Sequence, residues 1–226
     1  MSPPLAQVLA SGLNQLNLGL SPHQQQQLLD YLDLLGRWNK VYNLTAVRAP
    51  ADMLTHHLLD CLAVVPALIA RMPQVQTILD VGAGGGLPAV VLAVACPHWQ
   101  VTAVDTVAKK AAFVQTVAHS LGLANLQGIH ARVEDLTRQH DLVCSRAFAS
   151  LADFSHWSAA ALSPNGRWMA MKGRVPEDEM AALPPEVVVD AVQELHVPGL
   201  DAQRCVVWLR RQAGAWGSEA HSEPKD

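Results

Sequence analysis

The chain has 226 residues, of which 50% are apolar and 16% charged. That is ample material for one core with an appendage, and too little charge for an intrinsically disordered chain. A formal charge of −4 and a pI near 6.2 exclude a basic coat for nucleic acid but leave room for a local basic patch.

Leu5, Val8, Leu9, Leu13 and Leu16 recur at helical spacing and predict a first helix. Ser21-Pro22-His23-Gln24 predicts the start of a second, with Ser as N-cap, Pro at the first helical position and Gln three residues after the cap. Leu28, Leu29, Leu32, Leu35 and Trp38 give it one apolar face. The turn-prone run from Asn39 to Thr45 follows, then a third helical stretch from about Ala51 to Ile69, broken near Pro66.

From Thr77 the pattern changes to short apolar runs alternating with helical ones. Strands are predicted at Thr77–Val81, Gln100–Val104, Leu126–His130, Asp141–Ser145 and Gly166–Lys172. Helices are predicted at Leu87–Ala95, Val107–Leu121, Leu151–Leu162 and Glu177–Leu183. Such alternation builds a parallel sheet with helices on both faces. Two last strands, Val187–Leu195 and Arg204–Arg211, have no helix between them and predict an antiparallel edge hairpin. The expectation is an α/β chain with a seven-stranded, mostly parallel sheet over residues 76–211, preceded by a helical segment over 1–75. The tail from Gln212, rich in Gly, Ala, Ser and Glu, is expected to be disordered.

Cys61, Cys96, Cys144 and Cys205 lie 35, 48 and 61 residues apart, so no CxxC pair exists. A reducing cytosol fits this better than a zinc site or a disulfide frame. The first twenty residues carry no Lys or Arg and do not read as a secretion signal. The uncharged stretch from Val81 to Val104 is cut up by Gly and Pro, and its clean apolar run from Leu87 to Cys96 is too short for a bilayer.

The strongest local signal is Asp80-Val81-Gly82-Ala83-Gly84-Gly85-Gly86-Leu87-Pro88, between the first predicted strand and a helix. Glycines there permit a tight turn and let a ligand lie on bare backbone amides, and the helix start favours an anionic group. A dinucleotide fingerprint would need a small residue where Leu87 stands, or else Gly84, Gly86 and Ala89 as its three positions. The spacing Asp-x-Gly-x-Gly-x-Gly, carried by Asp80, Gly82, Gly84 and Gly86, resembles the S-adenosylmethionine loop of class I methyltransferases. Asp105 ends the second strand, where a carboxylate accepts from both hydroxyls of a ribose over the loop; helix capping is the competing role. Arg132-Val133-Glu134-Asp135 ends the third strand at the adenine edge, with Val133 to pack on the ring and Glu134 to accept from an exocyclic amine; an exposed first turn of a helix fits the pattern equally.

Ser145-Arg146-Ala147-Phe148-Ala149 follows the fourth strand, at the substrate end of such a sheet. The Asn/Asp-Pro-Pro-aromatic run of amino-group methylases is absent. Cys144 sits inside the strand pattern and reads as a buried structural cysteine rather than a C5-cytosine nucleophile. Arg146 offers a guanidinium fork for a guanine edge, a phosphate or a carboxylate. Lys109 and Lys110 after the second strand, and Lys172 and Arg174 after the fifth, are candidates to contact an RNA backbone. Residues 105–174 carry eight Lys/Arg against five Asp/Glu, whereas 175–203 carry seven Asp/Glu and no Lys or Arg. His56 and Asp60 share a helix face four residues apart; lacking a third metal ligand, they are read as capping or hydrogen-bonding groups.

Taken together, Trp38-Asn39-Lys40, Asn43-Leu44-Thr45, His57 with Leu59-Asp60, the Asp80–Pro88 loop, Asp105 with Lys109-Lys110 and Arg132-Val133-Glu134 resemble one family. Ser145 to Ser150, Lys172-Gly173, Pro176-Glu177-Asp178-Glu179 and Val197-Pro198-Gly199-Leu200 extend the likeness over about residues 10 to 211. That family is the bacterial ribosomal RNA small subunit methyltransferase G, or glucose-inhibited division protein B. The resemblance implies a class I, Rossmann-like methyltransferase fold and methyl transfer from S-adenosylmethionine to N7 of a guanine in 16S rRNA. It implies cofactor contacts at Gly82, Leu87, Val133, Glu134 and Arg146, beside Gly84, Gly86 and Asp105 from the motif reading. It further implies a cytoplasmic enzyme, monomeric at this size, that acts on 16S rRNA or the small ribosomal subunit with neither metal nor membrane. Ala89, His56-His57 and Lys109-Lys110 depart from the family's usual Gly, Arg-His and Lys-Arg. A non-catalytic RNA-binding or assembly protein on the same scaffold is the alternative.

Overall fold

A computed structural model describes residues 3–146 and 149–212. Helices α1 (Leu5–Gln15) and α2 (Pro22–Tyr42) lie where the periodicity places them. The Gln24 amide donates to the Ser21 hydroxyl and the Ser21 amide donates to Gln24 Oε1, so the expected start of α2 is a full capping box. Asn43, with φ of +50°, ends it in the left-handed region.

The third helical stretch, α3, runs over Pro50–Arg71. Its residues Leu54–Leu59 form a π turn, and the break falls at Ala63-Val64 rather than at Pro66. Pro66 sits in the first turn of the resumed segment Val65–Arg71, where its missing N–H goes unneeded. Among the described residues α3 is long and apolar enough to cross a membrane, but 72% of its apolar window is buried within the protein, which marks a core helix.

Seven strands form one sheet: β1 (Thr77–Val81), β2 (Gln100–Asp105), β3 (Leu126–His130), β4 (His140–Arg146), β5 (Leu162–Lys172), β6 (Val187–Glu194) and β7 (Cys205–Arg211). Their order is β3-β2-β1-β4-β5-β7-β6. The first five are parallel, and β7 is antiparallel to both β5 and β6. The late antiparallel pair thus exists, but only β6 occupies the edge. Cys205 to Leu209 are buried throughout and suit an interior strand, whereas β6 is half-exposed along its length.

Four helices complete the layers: α4 (Ala89–Ala95), α5 (Ala108–Ser120), α6 (Leu151–Trp157) and α7 (Glu177–Ala181). The helix expected over 151–162 ends at Trp157, because Ser158 donates to the Phe154 carbonyl and accepts from the Trp168 indole. A 3-10 turn over Ala159–Ala161 then leads into β5, which starts earlier than expected. Helices α1 to α5 share one continuous core with Ile78, Val101, Leu142, Met169 and Trp208 on one face of the sheet. Leu79, Val143, Phe154, Trp168 and Leu209 fill the other face. The strand order reverses between β1 and β4, which opens a crevice at their carboxyl ends.

Gly128 in β3 lies against α5 so closely that a Cβ would come within 2.6 Å of the Ala111 carbonyl oxygen and 3.1 Å of Val114 Cβ. Gly128→Ala should push strand and helix apart and cost about 1–3 kcal/mol. Urea unfolding should show a lower midpoint at unchanged slope.

Candidate active site

The loop after β1 is held in shape from two sides. Gly82, Gly84 and Gly86 have φ of +68°, +58° and +85°, a region that side chains disfavour. The amides of Gly82 and Ala83 donate to the Val104 carbonyl at 2.9 and 3.2 Å, which ties the loop to β2. On the other side, Tyr31 of α2 donates its hydroxyl to the Gly85 carbonyl at 2.7 Å. A Cβ at Gly85 would meet Leu35 of α2 at 2.9 Å, whereas one at Gly84 would touch only the Gly82 carbonyl oxygen, at 3.9 Å. The backbone around Gly84 is therefore left bare for a ligand, and buried Leu87 closes the turn by donating its amide N–H to the Ala83 carbonyl at 3.1 Å.

Asp105, 7% exposed, locks this loop. Its Oδ2 accepts from the Gly84 amide at 3.0 Å and its Oδ1 from the Val107 amide at 2.8 Å, with Lys110 Nζ at 3.9 Å. Capping and loop support thus coexist, and each oxygen retains a lone pair for a ribose hydroxyl.

Asp80 lies fully buried beneath the same loop. Its Oδ2 accepts from the Ala89 amide at 3.0 Å, while Oδ1 has no partner. Burial raises its pKa to about 7, against the pull of the Ala89 N–H and the Arg146 charge. An orphaned carboxylate oxygen next to bare glycine backbone fits a ligand that brings a cationic or hydrogen-bond-donating group. In the turn after β3 Val133 is buried, and exposed Glu134 is bonded to Arg132 at 2.8 Å, which holds its carboxyl below the usual range.

Beyond the loop, the carboxyl ends of β4 and β5, the amino end of β7 and the π turn of α3 enclose a cavity of about 380 Å³. His56, Asp60, Arg146, Lys172 and Arg204 supply its polar lining. Buried Asp60 joins two cations: its Oδ2 accepts from Arg146 Nη1 at 3.1 Å and its Oδ1 from Arg204 Nε at 2.8 Å. Arg146 also donates to the His56 carbonyl at 3.0 Å and lies 3.3 Å from His57 Nδ1. Burial, with the Arg146 charge, lowers the His57 pKa to about 4, so this imidazole is neutral. Its Nε2 lies 2.8 Å from Thr45 Oγ1, and the Thr45 amide donates to buried Asn39.

The expected site residues therefore divide. Gly82, Gly84, Gly86, Leu87 and Asp105 meet at one loop, Val133 and Glu134 lie at the end of β3, and Arg146 borders the cavity. Lys109 is exposed, with Nζ 5.8 Å from the Tyr42 ring centroid. Arg174 is exposed beside a groove formed with residues 194–205. Lys172 is different: its ammonium donates to both Glu179 oxygens at 3.0 and 2.8 Å and is spent inside the protein, so it holds α7 to β5 rather than offering a free cation. Cys144 is fully buried, which pushes its thiol well above its ordinary pKa. Ala147 and Phe148, and the tail beyond Gln212, lie outside the described residues. Arg204 escaped the sequence reading; its one signal was to be the first cation after the run 175–203 without Lys or Arg. Asp60 does hydrogen-bond, as its spacing from His56 had indicated, but to two arginines distant in sequence.

The Asp80 pKa sets a pH dependence. Below about pH 4 folded and unfolded chains both hold the proton, and Asp80 costs nothing. Between about 4 and 7 only the folded chain keeps it, so stability falls as pH rises, by about 1.4 kcal/mol per unit at most, and then levels off. Asp80→Asn removes this cost. Its stability gain over wild type should therefore grow from pH 4 to 7 and stay flat above, in urea titrations of the ligand-free protein.

This geometry agrees with what the chain is similar to. A family profile described as GidB, rRNA small subunit methyltransferase G, matches residues 24–207. The ribosomal RNA small subunit methyltransferase G of Polaromonas sp. (strain JS666 / ATCC BAA-500) is 57% identical over 216 residues, 93% of this chain and 96% of that protein. Among solved structures, TrmN from Thermus thermophilus superposes with a TM-score of 0.52 at 20% identity, over 70% of this chain and 53% of the other. The O-methyltransferase NcsB1 of neocarzinostatin biosynthesis, solved with S-adenosylmethionine and 2-hydroxy-5-methyl naphthoic acid, superposes with a TM-score of 0.50 at 15% identity, over 61% of this chain and 49% of the other. These two share the fold, a Rossmann-like methyltransferase sheet. S-adenosylmethionine is the cofactor of such methyltransferases, and the chain belongs to the rRNA small subunit methyltransferase G family.

Proposed function

We propose that the chain transfers a methyl group from S-adenosylmethionine to N7 of a guanine in 16S rRNA, with the base seated in the Asp60–Arg146–Arg204 cavity. The observation that carries this reading is that the one carboxylate among the described residues lining that cavity, Asp60, is committed to two guanidiniums and is not free to remove a proton. Asp60 is held by two guanidiniums, and His57, behind it, is neutral and already bonded. Guanine N7 has a free lone pair and needs no base, whereas amino-group or C5 targets must lose a proton.

In the cofactor site, the backbone at Gly82, Gly84, Gly86 and Leu87 would carry the nucleoside, Asp105 the ribose hydroxyls, and Val133 and Glu134 the adenine edge. The orphaned Asp80 oxygen would face the cationic end. The cofactor supplies an electrophilic sulfonium methyl when bound. The remaining task of the chain is alignment and exclusion of water. Arg146, pinned by Asp60 and the His56 carbonyl, orients the reactants where cavity and glycine loop meet. In an RNA helix N7 lies in a deep, narrow groove, so the target is unpaired or splayed out. Lys109, Lys110 and Arg174 flank the crevice and contact phosphates. The reading places a monomeric enzyme in the cytoplasm, acting on rRNA or the small subunit away from membranes.

Single-turnover transfer to 16S rRNA from a strain lacking the methylation tests this. N7-methylguanosine should form at one guanine, at a rate nearly independent of pH around neutrality. Cys144→Ala should keep most of the activity, while Arg146→Ala should lose on the order of 10²-fold. A folded, cofactor-binding Cys144→Ala that is inactive would overturn N7 chemistry, and a fully active Arg146→Ala would overturn the placement of the base. In calorimetry, Asp105→Ala should weaken cofactor binding by roughly 1.5–3 kcal/mol.

A further inference from the structure

The segment that follows α2 touches both the glycine loop and the residues behind the cavity. Buried Leu44 lies beside Gly85, its Cβ 3.9 Å from where a Cβ on that glycine would stand. Its neighbour Thr45 bonds to His57 on the π turn of α3. The buried Asn39 side chain fixes this segment at two points, accepting from the Thr45 amide at 2.9 Å and donating to the Val47 carbonyl at 3.3 Å. Thr45 Oγ1 in turn accepts from the Val47 amide at 3.1 Å. The threonine hydroxyl is therefore a fixed support for the ring that it meets.

That ring, His57, is 5% exposed, and each of its nitrogens has a near oxygen. Nε2 has Thr45 Oγ1 at 2.8 Å and Nδ1 has the His56 carbonyl at 3.0 Å. A carbonyl can only accept, so Nδ1 carries the proton and Nε2 accepts from the threonine hydroxyl. The opposite tautomer would set the Nδ1 lone pair against the carbonyl oxygen. Arg146 Nη1 donates to the same carbonyl at 3.0 Å, and Arg146 Nη2 lies 3.3 Å from Nδ1. One carbonyl oxygen thus receives the imidazole and the guanidinium together. Asp60, shared with Arg204, grips the guanidinium only at Nη1, at 3.1 Å, which leaves the His57 ring as the group beside Nη2.

We infer that His57 is a positioning residue for the methyl transfer. Braced by Thr45, it fixes the His56 carbonyl and borders the Nη2 edge of Arg146, and so sets the angle at which the guanidinium faces the reacting groups. This rests on the reading above, in which Arg146 orients cofactor and base.

The test is single-turnover methyl transfer to 16S rRNA by the full chain, with urea unfolding to establish that each variant is folded. His57→Ala should slow transfer roughly 10- to 100-fold. His57→Asn, whose amide N–H takes the place of Nδ1–H, should recover most of that rate. Thr45→Val should lose about fivefold, and Thr45→Ser should stay near wild type. The deciding comparison is made in the Arg146→Ala background: there His57→Ala should cost less than about twofold more, because the two residues act through one group. Losses that multiply in the double variant would overturn the inference, since His57 would then serve the fold and not the arginine. So would a wild-type rate in His57→Ala, a His57→Asn no better than His57→Ala, or a fully active Arg146→Ala. If His57→Ala does not fold, isosteric Thr45→Val, alone and with Arg146→Ala, carries the same comparison with Thr45→Ser as the rescue, and the same outcomes overturn it. Wild type unable to methylate 16S rRNA would remove the rRNA reading itself, and this inference with it.

Discussion

The bond network that clamps the glycine loop between β2 and α2 is the constraint on which the rest of the structure depends. Three residues with positive φ have no intrinsic reason to hold one shape; glycine is the residue that loses most entropy on ordering. Order is imposed from outside, by the Val104 carbonyl and the Asp105 carboxylate on one side and by the Tyr31 hydroxyl and Leu35 on the other. The N-terminal helices therefore form the back wall of the glycine loop, and the core continues across them without a seam. Asp80 pays for its place under the loop with a raised pKa, a local cost of the kind that functional sites retain.

A second network sets the substrate side. Asp60, directly after the π turn of α3, is buried, and an unpaired buried carboxylate would be strongly destabilising. Arg146 from β4 and Arg204 from β7 satisfy it together, so three elements far apart in the chain are fixed by one side chain. The same pairing leaves the cavity with net positive charge, suited to an anionic nucleotide. Arg146 touches both networks through space: it lowers the Asp80 pKa while it is bonded to Asp60.

Wherever local rules suffice, the element boundaries were legible. The capping box at Ser21 and the strand–turn–helix around Gly82 are dictated within a few residues, because their hydrogen bonds close inside the motif. Predictions slipped where a distant partner decides. The helix expected to reach Leu162 stops at Trp157 because Ser158 answers the Trp168 indole from the next strand. The antiparallel pair expected at the edge of the sheet is there, with β6 outermost and β7 bonded to both β6 and β5.

By itself, the sequence determined the class of sheet, the glycine loop with its acidic partners, and the positions of Asp105, Val133 and Arg146 at strand ends. Period and spacing carry that information, and parallel α/β topology places all strand ends of one kind at one rim. Only the tertiary structure decided how those groups are engaged. Arg204 joined the cavity, Lys172 turned inward to Glu179, and Lys109 came to stand over the Tyr42 ring. Each of these depends on which side chains meet across elements well apart in the chain, and the charge and reach of a lysine or arginine are the same whichever partner the fold brings to it.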